Sequence, residues 1–398
     1  MQTIAREIEE QLGKSSWIRR MFETGAELKR RLGPDKVCDF SLGNPDLPPP
    51  PEAAEALRAI AARLDRPLAL GHPPNAGLPE PRRRLAAKLA AEQQTPDLQA
   101  EHVLITCGAA GALTSFFRAV LEPGDEIVCP APYFVEYAFY CGHFGGVLKP
   151  VPTRPPTFDL DLDALLDAVG PRTRVVLINS PNNPTGCIYP AETLRELGRR
   201  LDEINRDRSR PVYLVSDEPY RFLAYDGAQV APVLPTGTFS VIAGSFSKNL
   251  SLAGERIGFL AFNPSIPGVT RLVDATTMTI RTLGFVNAPV LGQLLADALL
   301  DCQVDLDIYR RRRQAICEVL QDAGLNFAPP RGAFYVFPEA PGGDDVGFVR
   351  RLLAENILAV PGTGFGFPGY FRLSFSVDLE SIQRSAAGFR RAVEEGIS

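Results

Sequence analysis

The sequence predicts an α/β protein in which helices cover both faces of a large, mostly parallel sheet, and both chain ends build a smaller α+β unit. From about residue 85 onward, short continuous apolar runs alternate with longer amphipathic stretches. This alternation is typical of buried parallel strands joined by helices. Beyond about residue 289, helical patterns dominate, and only the apolar segments Ala333–Phe337 and Phe371–Ser374 separate them. The change in element order indicates a second, smaller packing unit.

The same periodicities place the individual elements. Strands are predicted at Val103–Thr106, Glu126–Cys129, Val175–Ile178, Val212–Val215, Val241–Ala243 and Ile257–Phe262. Helices are predicted at Pro79–Glu92, Ala109–Leu121, Ala191–Asn205, Ile308–Ala323, Val346–Glu355 and Leu379–Glu394.

Four consecutive prolines, Pro48–Pro51, interrupt these patterns and indicate an extended connection between the two units. We therefore expect residues 1–48 to form an N-terminal arm and part of the small domain. Residues 49–290 are expected to form the large domain, and residues 291–398 a small C-terminal domain.

Composition and charge narrow the class of function. The chain of 398 residues is 45% hydrophobic, has a net charge of −5 and contains no basic block, which argues against nucleic acid as a partner. No run of about 20 apolar residues could span a membrane, and the charged N-terminal segment lacks the apolar core of a secretory signal. Seven scattered cysteines without a CxxC pair predict neither a disulfide framework nor a zinc site. We expect a globular protein of the cytoplasm.

Lysine is scarce, and one lysine has unusual neighbours. Only six of the 42 basic residues are lysines, so arginine serves almost everywhere that a positive charge is needed. Lys248 nevertheless lies between small polar residues in Ser245-Phe-Ser-Lys-Asn249. Lysine, unlike arginine, can lose its proton and form a Schiff base with an aldehyde. The segment therefore points to chemistry that needs a neutral amine.

Four polar clusters follow predicted strands, at the sheet edge where open α/β proteins bind ligands. They are Cys107-Gly-Ala-Ala-Gly111, Asn179-Ser-Pro-Asn-Asn-Pro-Thr-Gly186, Ser216-Asp-Glu-Pro-Tyr220 and Ser245-Phe-Ser-Lys-Asn249, the last continued by Gly254-Glu-Arg-Ile-Gly258. Each cluster taken singly also has a simpler explanation. In the same order, these are a tight strand–helix turn, a polar turn, a helix-capping aspartate and a surface loop.

Taken together, the clusters indicate one ligand. A helix start with small residues, hydroxyls and the guanidinium of Arg256 suit a phosphate. A carboxylate at a strand end, Asp217, needs a cationic or protonated partner. The ligand would carry a phosphate, a group that pairs with a carboxylate, a hydroxyl-like oxygen and an aldehyde for lysine. Pyridoxal 5′-phosphate (PLP) has all four.

The clusters also carry a resemblance to a known family. In this order and spacing, the strings SPNNPTG, SDEPY and SFSKNLSLAGERIG resemble those of class I/II aminotransferases, which have the aspartate aminotransferase fold (PLP-transferase fold type I). The resemblance runs from Ser41-Leu-Gly-Asn-Pro-Asp46 to Phe371-Arg-Leu-Ser374. It implies a PLP-dependent aminotransferase that moves the amino group of an L-amino acid to a 2-oxo acid in ping-pong half-reactions. It also implies that residues 49–290 bind PLP, and that a homodimer shares its active sites between subunits.

By this resemblance, three residues are catalytic: Lys248, Asp217 and Tyr220. Lys248 would hold PLP as an internal aldimine and then move a proton between the substrate Cα and C4′ of the cofactor. Asp217 would keep the pyridine nitrogen protonated, and Tyr133 would stack on the ring. Asn183 and Tyr220 would hydrogen-bond the phenolic oxygen of the ring.

The remaining roles implied by the resemblance concern the cofactor phosphate and the substrate. The phosphate would be bound by the backbone N–H groups of Ala109 and Ala110 and by the side chains of Ser245, Ser247 and Arg256. Arg372 would bind the substrate α-carboxylate bidentately, helped by Asn183 and the backbone of Gly43.

One position departs from the family pattern, and another concerns substrate choice. The family commonly has a tyrosine that reaches the neighbouring subunit's phosphate, and His72 occupies its place before Asn75-Ala-Gly77. The imidazole would donate to the phosphate, or His72 is a displaced surface histidine. Arg281 lies near the position that reads a distal substrate carboxylate across the dimer in aspartate enzymes, but one residue out of register. The alternative is an apolar or aromatic pocket with Phe285 and Phe365.

Two other functions remain open. A PLP-dependent C–S lyase or decarboxylase would start from the same complex on the same fold, although Arg372 favours transamination because it fixes the α-carboxylate. A non-catalytic PLP-binding effector domain would follow a helix-turn-helix module of about 60–80 residues. Only about 40 residues precede the Ser41 motif here.

Overall fold

The computed structural model describes residues 3–6, 8–9 and 17–395. Its strands are β1 (Cys38–Asp39), β2 (Val103–Thr106), β3 (Glu126–Ala131), β4 (Val147–Pro152), β5 (Thr173–Asn179), β6 (Tyr213–Asp217), β7 (Ser240–Ser245), β8 (Gly258–Phe262), β9 (Tyr335–Val336), β10 (Ile357–Leu358), β11 (Val360–Pro361) and β12 (Phe371–Ser374). The α-helices around them span Trp17–Leu32, Ala53–Ala61, Pro79–Glu92, Gly108–Val120, Glu136–Gly142, Leu162–Asp167, Ala191–Asn205, Val269–Thr282, Val290–Ala298, Leu306–Asp322, Asp345–Ala354 and Leu379–Glu394.

The largest sheet has seven strands in the order β2-β8-β7-β6-β5-β3-β4. Five neighbouring strands, β7-β6-β5-β3-β4, pair in parallel. Strand β8 alone in this sheet runs against its two neighbours, β2 and β7. The predicted α/β class with a mostly parallel sheet is confirmed.

Helices cover both faces of this sheet, which explains why its central strands are apolar throughout. Successive strand residues point to opposite faces, so Val176 packs into one core cluster and Val175 into the other. Strand β4 differs because it lies at the edge of the sheet and is mostly exposed. Its prolines and exposed positions break the apolar pattern, and the sequence analysis therefore missed it.

Two small sheets bring the chain ends together. Strand β1 pairs in parallel with β10, with Cys38 opposite Ile357. Strands β11, β12 and β9 form an antiparallel sheet in that order. The backbone of Ser374 in β12 donates to the carbonyl of Phe40 at 2.8 Å, so the segment after β1 lies beside β12.

The domain boundaries at residues 48 and 290 stay predictions, and part of the expected N-terminal arm, residues 1–48, lies outside the described residues. No helix within the described ranges combines the length and apolar composition needed to cross a membrane.

Candidate active site

A cavity of about 400 Å³ lies at the carboxyl ends of the central strands. Strand register brings these ends side by side, because Asn179 pairs with Asp217 and Asp217 pairs with Ala243. Eleven of the predicted site residues line the cavity: Gly43, Ala109, Ala110, Asn183, Asp217, Tyr220, Ser245, Ser247, Lys248, Arg256 and Arg372.

Asp217 ends β6 at the floor of the cavity and is only 6% exposed. Its Oδ2 accepts a hydrogen bond from the Tyr137 hydroxyl at 2.6 Å, whereas Oδ1 has no hydrogen-bond partner in the described structure. Burial raises the pKa of Asp217 to about 7, although the bond from Tyr137 opposes this change. A protonated nitrogen placed at Oδ1 would reverse this effect and stabilise the carboxylate.

Lys248 follows β7 and reaches the middle of the cavity. Its Nζ donates to the carbonyl oxygen of Gly43 at 2.6 Å. Burial, followed by the positive charges of Arg256 and Arg372, lowers the pKa of Lys248 to about 8. A substantial fraction of the amine is therefore neutral near physiological pH, which is the form that attacks an aldehyde.

One end of the cavity is suited to an anion. The Gly108–Val120 helix begins there, and its first N–H groups have no partner within the helix. Gly108 has a φ of +71°, and a Cβ at this position would lie 2.9 Å from Nη2 of Arg256. Arg256 itself adopts a left-handed backbone conformation, with φ 55°. This conformation is uncommon for arginine, and it brings the guanidinium against the helix start, near Ser245 and Ser247.

The other end of the cavity holds Arg372, which is 2% exposed. Its Nη1 donates to Oδ1 of Asn183 at 3.1 Å, and its Nη2 donates to the carbonyl of Ser41 at 2.5 Å. Its Nε is buried without a hydrogen-bond partner in the described residues. The guanidinium also lies over the ring of Phe365, 4.9 Å from its centroid. Phe365 is fully buried, and its ring packs against this guanidinium.

The lining of the cavity bears on the predicted stacking role of Tyr133. Phe134 lines the cavity, together with Tyr137 and Tyr140, whereas Tyr133 does not. The ring of Tyr133 lies against Gly366, where an added Cβ would be 2.6 Å from it. Aromatic residues at 134, 137 and 140 recur every third position before and along the Glu136–Gly142 helix. Residues three positions apart lie on the same side of a helix, so this spacing indicates that the three rings face the same way.

Tyr335 is a cavity residue that the sequence analysis missed. Its hydroxyl lies 2.6 Å from the hydroxyl of Tyr220, and Arg372 lies over its ring. From the sequence, the surrounding segment, Ala333–Phe337, is predicted only as a short apolar stretch. The only signal in the sequence is that this apolar stretch contains a tyrosine, because a buried tyrosine hydroxyl usually needs a hydrogen-bond partner.

Besides Tyr133, two further predicted residues lie outside the cavity of their own chain. His72 is exposed, and its Nδ1 lies 3.3 Å from Oδ1 of Asn287. Arg281 is exposed near the end of the Val269–Thr282 helix. Both roles concern the site of a second subunit, so both stay predictions.

The arrangement of donors and acceptors fits PLP. The unpartnered Oδ1 of Asp217 suits a protonated pyridine nitrogen. The helix start and the neighbouring hydroxyls and guanidinium suit a phosphate. Lys248 lies in the same cavity with its amine partly neutral, which suits an aldehyde.

Solved structures show the same fold. An aminotransferase from Eubacterium rectale superposes with a TM-score of 0.94 at 34% identity, covering all of both chains. The aspartate aminotransferase of Thermus thermophilus with maleate superposes with a TM-score of 0.87 at 30% identity, covering 98% of this chain and all of the other. The chain therefore has the aspartate aminotransferase fold that its sequence predicted.

Sequence comparison identifies the family. The model of the family "Aminotransferase class I and II" matches residues 35–389. The aspartate/prephenate aminotransferase of Thermus thermophilus is 35% identical over 375 residues, which is 92% of each chain. The aspartate aminotransferase of Thermotoga maritima is 32% identical and covers 87% of this chain and 89% of its own length. The chain belongs to the class I and II aminotransferases. It is a PLP-dependent aminotransferase, and none of these findings favours the lyase or decarboxylase alternative.

Proposed function

We propose that the cavity at the strand ends is the aminotransferase active site and that Lys248 is its covalent attachment point for PLP. The observation that carries this proposal is the placement of three groups in one cavity. These are the amine of Lys248, the unpartnered carboxylate oxygen of Asp217 and the buried guanidinium of Arg372. They match the aldehyde and ring nitrogen of the cofactor and the α-carboxylate of an amino acid.

The chain's own residues would hold the cofactor at both ends. Asp217 would pair with the ring nitrogen, and Phe134, which lines the cavity, would pack on the ring. Asn183 and Tyr220 would bind the phenolic oxygen. The phosphate would be held by the N–H groups of Ala109 and Ala110 and by the side chains of Ser245, Ser247 and Arg256. Bound PLP supplies an electron sink for the carbon that loses its proton.

Lys248 has two tasks in this proposal. Its neutral amine would attach the cofactor, and its Nζ, once free, would take the proton that leaves the substrate Cα and hold it for return. Both tasks need an amine that gives up its proton near neutral pH, in agreement with the lowered pKa of Lys248. A 2-oxo acid would then take up the amino group in the second half-reaction, and the lysine would serve in reverse.

Arg372 would bind the α-carboxylate of the amino acid. Its Nε lacks a partner in the described residues, and its Nη1 rests on Asn183, so donors remain for a bidentate carboxylate. Gly43 would add its backbone to the same carboxylate. Fixing this group keeps it in place while the Cα proton leaves, which supports transamination.

The names of the relatives support aspartate as an amino donor of this chain. A second carboxylate on the substrate needs a second cation. Among the described residues, the cations that line the cavity are Lys248, Arg256 and Arg372, and all three have other tasks here. We propose that Arg281 of a second copy of the chain reads the distal carboxylate.

Exposed apolar side chains support a homodimer. Leu68 is 88% exposed. Further exposed apolar residues lie in two segments: Leu57, Leu64 and Leu70 in one, and Met278, Phe285, Val286 and Leu291 in the other. Asn75, five residues after Leu70, donates to the carbonyl of Val286 at 2.6 Å, so the chain leaving the first segment contacts the second. An apolar face of this kind is typical of a protein–protein interface.

Cysteine chemistry supports a reducing compartment. All seven cysteines are free, and three of them lie partly exposed: Cys107, Cys302 and Cys317. Because disulfides form and persist in oxidising compartments, we propose that the protein works in the cytoplasm.

The first experiment is an absorption spectrum of the purified protein with PLP and then with single amino acids. We expect a visible band that Lys248→Ala abolishes and that an amino donor converts to a band near about 330 nm. Lys149→Ala is the control, because Lys149 is exposed and contacts only the carbonyl of Ala168 among the described hydrogen bonds. A visible band that survives Lys248→Ala would refute the attachment point. Release of CO₂ or pyruvate without this conversion would refute transamination.

A further inference from the structure

Two tyrosine hydroxyls meet inside the cavity. The hydroxyl oxygens of Tyr220 and Tyr335 are 2.6 Å apart, and either can be the donor. Their rings meet edge to face, with centroids 5.5 Å apart and planes at 85°. Both side chains are buried, and Tyr335 is only 1% exposed. The hydrogen bond is therefore shielded from water. In such surroundings a hydrogen bond is stronger than it is in water.

Tyr335 also contacts the substrate end of the cavity. The guanidinium carbon of Arg372 lies 4.8 Å from the centroid of the Tyr335 ring, within the range of a cation–π interaction. Strand pairing explains the contact, because Tyr335 in β9 is opposite Ser374 in β12 and Arg372 lies two residues away on the same face. One side chain thus touches both the proposed cofactor-binding tyrosine and the proposed carboxylate-binding arginine.

The position of the Tyr335 hydroxyl is closely constrained. A Cβ on Gly43 would lie 2.0 Å from this oxygen, so the hydroxyl occupies space that only glycine leaves free. The charged and titratable groups that line the cavity around it are Asp217, Lys248, Arg256, Arg372, Tyr137, Tyr140 and Tyr220.

We infer that Tyr335 is a positioning residue that orients the hydroxyl of Tyr220 and supports the guanidinium of Arg372. The inference rests on the proposed function, in which those two residues bind the cofactor oxygen and the substrate carboxylate. Tyr335 donates its hydroxyl proton to Tyr220 Oη and leaves the proton of Tyr220 for the cofactor oxygen. A hydroxyl that accepts a hydrogen bond becomes a better donor. Removal of the Tyr335 hydroxyl therefore weakens the bond from Tyr220.

The hydroxyl is tested with Tyr335→Phe, which keeps the ring. The readout is the pH midpoint of the visible absorption band in the PLP-loaded protein without substrate. We expect the midpoint to rise by about 0.5–1 unit, because the cofactor oxygen loses stabilisation of its charged form. In a Tyr220→Phe background the same change should produce no further shift. An unmoved midpoint, or an equal shift in both backgrounds, would overturn the inference.

The ring is tested with Tyr335→Leu and a 2-methyl amino acid, which binds but has no Cα proton to lose. We expect its dissociation constant to rise about tenfold in Tyr335→Leu and to stay within about twofold in Tyr335→Phe. Equal affinity in all three proteins would overturn the support of Arg372. If the leucine variant does not fold, the phenylalanine comparison still decides the role of the hydroxyl. A wild-type protein with no visible band would instead refute the proposed function itself.

Discussion

Lys248 and Gly43 are 205 positions apart in the sequence, yet Nζ of Lys248 donates to the carbonyl oxygen of Gly43 at 2.6 Å. The segment around Gly43 is held over the cavity from both sides. The carbonyl of Ser41 accepts from Arg372 at 2.5 Å, and Asp46 accepts two bonds from Arg312, each 2.7 Å. The backbone around Gly43 therefore covers the proposed catalytic lysine. Arg372 of the small sheet and Arg312 of the Leu306–Asp322 helix anchor this backbone.

Gly43→Ala is expected to damage this cover. The new Cβ would lie 2.0 Å from the hydroxyl of Tyr335, so one of the two must move. We expect a loss of about 1–3 kcal/mol in the free energy of unfolding and a higher KM for the amino donor. Urea unfolding and steady-state kinetics measure the two effects. Gly254→Ala is the control, because a Cβ at that position meets no atom within 4 Å. Equal effects of the two substitutions would contradict the expected clash.

Asp217→Asn is expected to stabilise the protein without cofactor while removing cofactor function. The folded-state pKa of Asp217 is raised from 3.8 to about 7. Between these values the folded chain keeps the proton that the unfolded chain has released, so stability falls as pH rises through this window. Asparagine carries no charge, and we expect the variant to gain on the order of 1–3 kcal/mol over the wild type at pH 8.

The measurement is urea unfolding of both cofactor-free proteins at pH 3.5 and pH 8. The stability difference should be small at the lower pH, where Asp217 is largely protonated in both states. Asp167→Asn, at an exposed aspartate at the end of the Leu162–Asp167 helix, is the matched control. If this difference in the free energy of unfolding does not grow with pH, burial of the charged Asp217 does not destabilise the folded protein and the prediction is wrong.

Arg281→Ala is expected to change substrate preference. If Arg281 of a second subunit reads a distal carboxylate, its removal should lower kcat/KM for aspartate by about tenfold or more and leave kcat/KM for phenylalanine unchanged. Arg271→Ala, an exposed arginine on the same helix, is the control. An unchanged ratio of aspartate to phenylalanine would rule out this role for Arg281.

His72→Ala is expected to weaken cofactor retention. If the imidazole donates to the phosphate in a neighbouring subunit, the variant lacks one donor to that phosphate, and PLP should be lost faster from it during dialysis. His143→Ala is the control, since His143 is also exposed but contacts the ring of Phe144. Retention equal to that of the wild type would place His72 outside the site.

Residues at strand ends could be predicted because two local signals coincide there. An apolar run marks the strand, and a polar residue directly after it marks the edge of the sheet. Asp217 and Ser245 each end such a strand, and Lys248 follows three residues after Ser245. Parallel pairing of neighbouring strands then brings them into one cavity without further information from the sequence.

Tyr335 and Phe134 could not be found in this way because their positions in the cavity wall depend on tertiary placement. The position of Tyr335 becomes meaningful only when β9 pairs with β12 and brings the tyrosine beside Arg372. Phe134 and Tyr133 are adjacent and both aromatic, so only the turn before the Glu136–Gly142 helix decides which one faces the cavity. The roles predicted for His72 and Arg281 involve a second subunit, whose arrangement cannot be read from the pattern of one chain.

The pairing of β1 with β10, and the contact of Ser41 with Arg372, have a consequence for synthesis on the ribosome. The seven-stranded sheet is complete once residue 262 has emerged, and it can begin to fold while the rest is still being made. The substrate end of the cavity, in contrast, cannot form until residue 372 has been synthesised and contacts residues 41–43. Contacts so distant in sequence form late. We expect the substrate end of the cavity to form only after Arg372 has been synthesised and has reached Ser41.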